Sequence, residues 1–95
     1  EPPAKFNAGA DVTDSIVGSG TIFEGKVEHA VIFRKVRVEA GALVRNSIVM
    51  EGCVIGKGAV IENAILDKDV HVSEGKVVKG ASSEDPVILK KGTRV

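Results

Sequence analysis

The sequence has few aromatic residues, a single cysteine and no excess of either charge. Phenylalanine occurs three times and tryptophan and tyrosine are absent, so any core must be aliphatic in this chain, which is 43% apolar. One cysteine excludes an internal disulfide and fits a reducing compartment. Thirteen basic and thirteen acidic residues cancel, which argues against electrostatic binding to nucleic acid or anionic membranes. No apolar run approaches membrane-spanning length, and no signal peptide is visible.

The length of 95 residues suffices for one domain and not for two. Branched aliphatic residues in a chain with eleven glycines favour short stacked strands over a helical bundle. The sequence opens with Glu-Pro-Pro and without methionine. We therefore expect a fragment whose preceding domain is missing.

An apolar residue recurs every six positions in the middle of the chain, at Val49, Ile55 and Ile61. The small residues Cys53 and Ala59 follow the first two at a spacing of four, and glycine-containing polar segments fill the gaps. A helix would place apolar residues at three- and four-residue steps, and an isolated strand would alternate them strictly. The six-residue period is typical of a parallel β-helix, in which short strands alternate with turns.

A longer period of 17 residues contains these hexads. Apolar residues recur at that spacing in three columns, which we assign to the core. The columns are Val27-Val44-Ile61, Ile32-Val49-Leu66 and Val38-Ile55-Val72. Each coil then has three legs of five, six and six residues, which predicts a triangular cross-section. The first coil, with legs beginning at Val12, Val17 and Phe23, has lost two residues from its third leg.

The five-residue leg has a recurring corner at its third position. That position holds Asp14, His29, Asn46 and Asn63. These residue types tolerate the left-handed backbone of a tight corner. We expect the first and fifth residues of every leg to point inward, which adds a fourth column to the predicted core. This column is Val31-Ile48-Ile65.

Both ends of the chain depart from the repeat. Phe6 is placed to plug the first coil, and Lys76 occupies an inward position near the other end. A polar segment at 81–86 interrupts the pattern, and the Val-Ile-Leu at 87–89 predicts one more strand that caps the stack. We predict an all-β, single-stranded parallel β-helix of about four triangular coils plus a terminal capping strand. Its parts are a linker and N-terminal cap at 1–11, the β-helix at 12–78, and a polar loop with the capping strand at 79–95.

We predict no catalytic, cofactor-binding or metal-binding residue in this chain. His29 and His71 raise the alternative of a hexapeptide acyltransferase, because many such enzymes use a histidine as general base. We expect His29 to be a corner residue and His71 to be solvated. The Gly-Thr-Arg at 92–94 echoes part of a phosphate loop but has no following helix. Cys53 is expected to be a buried structural thiol, and nothing offers metal-ligand spacing.

Two groups of apolar residues are predicted to face outward. Leu43, Val60 and Val77 form one column, and Phe33 and Met50 are neighbours on another face. Aligned apolar side chains form patches on a surface, and such patches mark interaction sites. We expect at least one group to dock a missing catalytic domain or another subunit.

Four segments carry a likeness to a known family. They are PPAKF at 2–6, NSIVM at 46–50, ENAILDKDV at 62–70 and PVILKKGT at 86–93. In these segments the chain resembles the C-terminal left-handed β-helix of bacterial glucose-1-phosphate adenylyltransferases, especially their GlgD-type regulatory subunits. The hexads themselves are shared by many unrelated enzymes. The second half of the 62–70 segment and the closing segment are more discriminating.

The resemblance implies a left-handed coil and a two-domain, cytoplasmic parent enzyme of glycogen synthesis. Its N-terminal domain would use Mg²⁺ to make ADP-glucose and diphosphate from ATP and glucose 1-phosphate. This C-terminal domain would hold no cofactor and would support allosteric regulation and tetramer assembly. Its partners would be its own N-terminal domain and other subunits, with no nucleic acid and no membrane. Two alternatives stay open: a fragment of a hexapeptide acyltransferase and a purely structural β-helix.

Overall fold

The computed structural model describes residues 2–95, which form fifteen strands of two or three residues each. In chain order, β1 to β15 are Lys5–Phe6, Asp11–Thr13, Ile16–Val17, Ile22–Phe23, Lys26–Glu28, Val31–Ile32, Arg37–Val38, Leu43–Arg45, Ile48–Val49, Val54–Ile55, Val60–Glu62, Ala64–Leu66, His71–Val72, Val77–Lys79 and Val87–Leu89. Such short strands follow from legs that turn every five or six residues. Residues 2–95 contain no helix of the length and apolarity needed to cross a membrane.

Successive strands belong to three parallel sheets in turn, which makes each coil triangular. Sheet A has the order β1-β4-β7-β10-β13, sheet B has β2-β5-β8-β11-β14, and sheet C has β3-β6-β9-β12-β15. This topology confirms the predicted all-β parallel β-helix of hexapeptide repeats with about four coils, and it is consistent with the left-handed coil that the resemblance implies. The predicted capping strand is also confirmed, because β15 pairs with β12 at the end of sheet C.

The strand register confirms the 17-residue coil. In sheet B, Val27 pairs with Val44 and Val44 pairs with Ile61. The first coil is shorter, since Val12 pairs with Val27 at a spacing of 15. At the C-terminal end Leu66 pairs with Leu89 at a spacing of 23, so the polar loop adds six residues to that coil.

The interior of the prism is mainly aliphatic and is closed to solvent. All nine residues of the three columns predicted from the 17-residue period are at most 1% exposed. At the N-terminal end the ring of Phe6 stacks on the buried ring of Phe23, with centroids 5.2 Å apart and planes 9° from parallel. Phe6 thus lies over the first coil, where the sequence placed a plug.

The fourth predicted core column is wrong, because Val31, Ile48 and Ile65 face outward. Ile48 is 37% exposed, whereas the next residue, Val49, is fully buried. A five-residue leg turns one residue earlier than a six-residue leg. Its fourth residue therefore points inward, and its fifth already belongs to the next strand, where alternation turns it outward. The inward fourth residues are Ser15, Ala30, Ser47 and Ala64.

The predicted left-handed corner is confirmed. Asp14, His29, Asn46 and Asn63 have φ angles of 47°, 48°, 48° and 50°. This corner joins sheet B to sheet C. The short polar side chains and the imidazole tolerate a backbone conformation that branched aliphatic residues avoid. The backbone conformation of the corner therefore accounts for the residue types found there. One of them, His29, also carries an ionisable ring.

Serine hydroxyls complete the backbone hydrogen bonding beside this corner. The hydroxyl of Ser47 donates to the carbonyl oxygen of Arg45 at 2.8 Å and accepts from the backbone N–H of Ala64 at 3.1 Å. The hydroxyl of Ser15 donates to the carbonyl of Thr13 at 2.7 Å and accepts from the N–H of Ala30 at 3.1 Å. In each case the serine satisfies an amide of the next coil.

Replacing Ser47 by alanine should lower the free energy of unfolding by roughly 1–3 kcal/mol, because the buried amide of Ala64 loses its acceptor. Ser15→Ala is the matched control and should cost less, since its hydrogen bond to Ala30 is only partly buried. Urea denaturation of both variants measures the difference. A Ser47→Ala variant as stable as the parent chain would show that water replaces the hydroxyl.

Candidate docking surface

The outer face of sheet C carries an unbroken aliphatic column. Its members are cross-strand partners, one from each of the five strands: Ile16, Val31, Ile48, Ile65 and Ile88. We call these five residues the sheet C column. The two end residues are the most exposed, Ile16 at 71% and Ile88 at 62%. At about 4.8 Å per strand, the column runs for about 19 Å along the coil axis.

Phe33 and Met50 extend this apolar surface on one side. Each lies two residues after a member of the sheet C column, so alternation places it on the same face. The structure therefore joins the predicted Phe33 and Met50 pair to the column that had been assigned to the core. We call the seven residues together the sheet C face.

Polar side chains border the sheet C face on both sides. Next to Phe33 and Met50, the Nε of Arg34 donates to Oε1 of Glu51 at 2.8 Å. This hydrogen bond holds the pKa of the Glu51 carboxyl below its ordinary value. The opposite border is the left-handed corner with Asp14, His29 and Asn46. An apolar centre between two polar borders is the usual anatomy of an interface.

A groove of about 690 Å³ lies between the sheet C column and the left-handed corner. Ser83 and Pro86 of the polar loop line it together with the corner residues. At its rim Nδ1 of His29 lies 2.7 Å from Oδ2 of Asp14, and both side chains are largely exposed. Exposed pairs of this kind contribute only about 0.2–1 kcal/mol to stability.

The predicted column of Leu43, Val60 and Val77 is on the outer face of sheet B, in register from strand to strand. Val77 is exposed and the other two are half-buried. The structure places this column on a different face from Phe33 and Met50, so the two predicted groups do not form one patch.

Charged residues run beside the sheet B column. The Nε of Arg45 lies 3.0 Å from Oε2 of Glu28, and Nζ of Lys79 lies 3.7 Å from Oε1 of Glu62. On sheet A the outward positions alternate in character, with Lys5, Ile22, Arg37, Val54 and His71 in one register. In the described part of the chain, the sheet C column is therefore the outward register that is aliphatic in all five strands.

The structure does not bring the two histidines together. His29 lies at the corner between sheets B and C, whereas His71 lies in β13 of sheet A, where it forms a parallel bridge with Arg94. The hydroxyl of Thr93 donates to the carbonyl of Lys90 at 2.6 Å, so the Gly-Thr-Arg segment forms a local turn. Within the described part of the chain, no three His, Cys, Asp or Glu side chains are grouped closely enough to hold a metal ion.

Cys53 is a buried structural thiol, as predicted. It is fully shielded from solvent, and its Sγ donates to the carbonyl oxygen of Asp67 at 3.0 Å. Burial raises the pKa of the Cys53 thiol to about 11. A thiolate, which is the reactive form, is therefore disfavoured in the folded chain.

Comparison with known proteins agrees with this fold. Residues 2–91 match the family described as GlmU-like, C-terminal hexapeptide. The chain belongs to this hexapeptide family. Over 57 residues, the hexapeptide domain is 44% identical to proteins named glucose-1-phosphate adenylyltransferase from Bacillus thuringiensis (strain Al Hakam), Bacillus mycoides (strain KBAB4) and Bacillus anthracis. The resemblance to glucose-1-phosphate adenylyltransferases is thereby confirmed, and the narrower likeness to their GlgD-type regulatory subunits stays a prediction.

The hexapeptide domain spans only a small share of these relatives. The aligned residues make up 60% of this chain and 15% of each relative. The matching family is itself described as a C-terminal domain.

Sequence reasoning missed the sheet C column as a surface of the hexapeptide domain, although the signal was present. Small residues mark the inward end of several legs: Cys53 and Ala59 stand fifth in six-residue legs, whereas Ser47 and Ala64 stand fourth in five-residue legs. If the small fourth residue, Ser47, is taken as the inward end of its leg, the next residue, Ile48, is predicted to face outward.

Proposed function

We propose that this hexapeptide domain is the C-terminal regulatory and assembly domain of a cytoplasmic glucose-1-phosphate adenylyltransferase subunit. The parent enzyme would convert ATP and glucose 1-phosphate into ADP-glucose and diphosphate for glycogen synthesis. The observation that carries the proposal is the 44% identity over 57 residues to proteins of that name.

On this proposal the chemistry and its Mg²⁺ belong to an N-terminal domain of the parent protein. The hexapeptide domain would bind that N-terminal domain and the other subunits of a homo- or heterotetramer. The support is the pair of outward apolar surfaces, the sheet C face and the column of Leu43, Val60 and Val77. Both are aligned patches, and neither is needed to fill the interior.

A hexapeptide acyltransferase is the second candidate, and one observation favours it. The carboxylate of Asp14 lies 2.7 Å from Nδ1 of His29, which would leave Nε2 of that ring as a general base beside the groove. His29→Asn keeps a residue type that suits the corner backbone. If the full-length protein is an acyltransferase, His29→Asn abolishes its acyl transfer. On our proposal the full-length protein has no acyl-transfer activity, with or without this substitution.

The direct test is an assay of the full-length protein for ADP-glucose, alone and mixed with a catalytic partner subunit. A catalytic chain makes ADP-glucose by itself, whereas a regulatory chain changes the rate or effector response of the partner. A full-length protein that neither makes ADP-glucose nor alters a partner would contradict the proposal.

The double substitution Leu43→Glu with Val60→Glu should disrupt assembly of the full-length protein while leaving the coil folded, because both side chains face outward. Two carboxylates in an apolar contact would be desolvated without partners. Light scattering measures oligomer mass, and circular dichroism checks the fold. Lys26→Glu is the matched control, since Lys26 is the exposed cross-strand neighbour of Leu43. Unchanged oligomer mass and regulation in the double variant would show that the column of Leu43, Val60 and Val77 is not part of an interface.

A further inference from the structure

We infer that the groove beside the left-handed corner binds a neutral oligosaccharide, and that this ligand is a linear α-1,4-glucan. The identity of the sugar rests on the proposed function, in which the parent enzyme serves glycogen synthesis. The volume of the groove, about 690 Å³, lies within the range of about 300–1,000 Å³ that small-molecule sites occupy. The corner, the sheet C column and the polar loop, through Ser83 and Pro86, all contribute to its lining.

The charge of the groove favours a neutral ligand. Among the described residues that line it are one carboxylate, Asp14, and one imidazole, His29, but no lysine or arginine. A phosphate group in the groove would therefore lie close to the Asp14 carboxylate without a permanent cation to balance the two charges. A sugar phosphate or a nucleotide is thus a poor match for this site, whereas an uncharged sugar is not.

The polar groups of the groove suit hydroxyl groups. Nδ1 of His29 lies 2.7 Å from Oδ2 of Asp14, which leaves Nε2 of the ring and the second carboxylate oxygen for a ligand. The side-chain amide of Asn46 can donate and accept, and so can the hydroxyl of Ser83 on the polar loop. A sugar hydroxyl is both a donor and an acceptor, so it can pair with each of these groups.

The polar and apolar groups of the groove repeat with the coil. Asp14, His29 and Asn46 each follow a paired strand of sheet B, so they lie on successive coils about 4.8 Å apart. The sheet C column advances from Ile16 to Ile48 by the same steps. The two linking oxygens of a pyranose ring are a similar distance apart. A glucan along the coil axis would therefore place one ring beside each coil, with carbon-bound hydrogens on the aliphatic column and hydroxyls at the corner.

The test is calorimetric titration of the full-length protein with maltohexaose, a linear α-1,4-glucan. We expect saturable binding that is at least about tenfold weaker in a double variant, His29→Gly with Asn46→Gly. Glycine permits the left-handed backbone at both positions, where φ is 48°, and removes only the polar side chains. Asp69→Gly is the matched control and should bind like the parent protein, because Asp69 has a φ of 57° at a corner that does not line the groove.

Three results would overturn the inference. A lack of saturable maltohexaose binding would show that the groove is not a glucan site, and binding that is unchanged in the double variant would place the glucan elsewhere on the protein. Glucose 6-phosphate that binds more tightly than maltohexaose, and depends on the same corner residues, would show that the ligand is anionic. Asn46→Gly with Ser83→Ala provides a second variant if circular dichroism shows that the first folds poorly.

An ADP-glucose assay on the same samples separates this inference from the proposed function. Maltohexaose binding at the corner of a protein without any adenylyltransferase role would support the site and refute the proposed function. An adenylyltransferase subunit that binds no maltohexaose would do the reverse.

Discussion

Replacing Ile55 by alanine should lower the free energy of unfolding of this chain by about 2–5 kcal/mol, whereas Ile48→Ala should lower it by less than about 1 kcal/mol. The two isoleucines belong to the same coil and to strands of two residues each. Ile55 is fully buried and Ile48 is 37% exposed. The comparison therefore isolates burial from residue type and position along the stack.

The large effect at Ile55 follows from the rigidity of the coil. Val38 and Val72 lie directly below and above it in sheet A, and backbone hydrogen bonds hold the three strands at the strand spacing. The surrounding side chains cannot move inward to fill the cavity that alanine leaves. Urea denaturation followed by circular dichroism measures both variants. Equal losses at the two positions would mean that the inward and outward assignments of this coil are wrong.

The thiol of Cys53 should react with a thiol reagent at pH 8 at least roughly a hundredfold more slowly in the folded chain than in urea. Burial raises its pKa to about 11, against about 8.5 for a solvated thiol. The thiolate fraction at pH 8 falls by roughly that factor, and the closed interior slows access further. Val77→Cys in a Cys53→Ala background is the exposed control and should react at nearly the rate of the unfolded chain.

The raised pKa of Cys53 also makes the stability of the folded chain depend on pH. The folded chain keeps its proton on Cys53 over a range in which the unfolded chain has lost it. The stabilisation is complete below about pH 8.5 and declines as the pH rises toward about 11. Cys53→Ala should remove this part of the decline. Rapid labelling of Cys53 in the folded chain would show that the interior opens far more easily than the packing indicates.

The core columns were predictable from sequence because aliphatic residues can occupy them only in register. Val27, Val44 and Ile61 share a spacing that no helix or isolated strand produces, and the strand pairing follows that spacing directly. The left-handed corner was predictable for a related reason, since His29 stands where two asparagines stand in later coils. Both predictions rest on local chemistry repeated several times.

The outward position of Ile48 was harder to predict, because hydrophobicity alone does not distinguish a core column from an apolar outer column. The direction of a side chain depends on where the leg turns, and a leg that is shorter by one residue inverts it. The Arg34 and Glu51 pair, by contrast, follows from the 17-residue period, which makes residues at that spacing neighbours in successive coils.

The most direct test of the central claim is a set of methyl nuclear Overhauser contacts in this chain. The stacked coil predicts contacts from Ile48 to Val31 and Ile65, its neighbours in the sheet C column. It predicts a separate set from Val44 to Val27 and Ile61 inside the prism. Contacts between the methyl groups of Ile48 and those interior residues would contradict the outward column, and with it the docking surface.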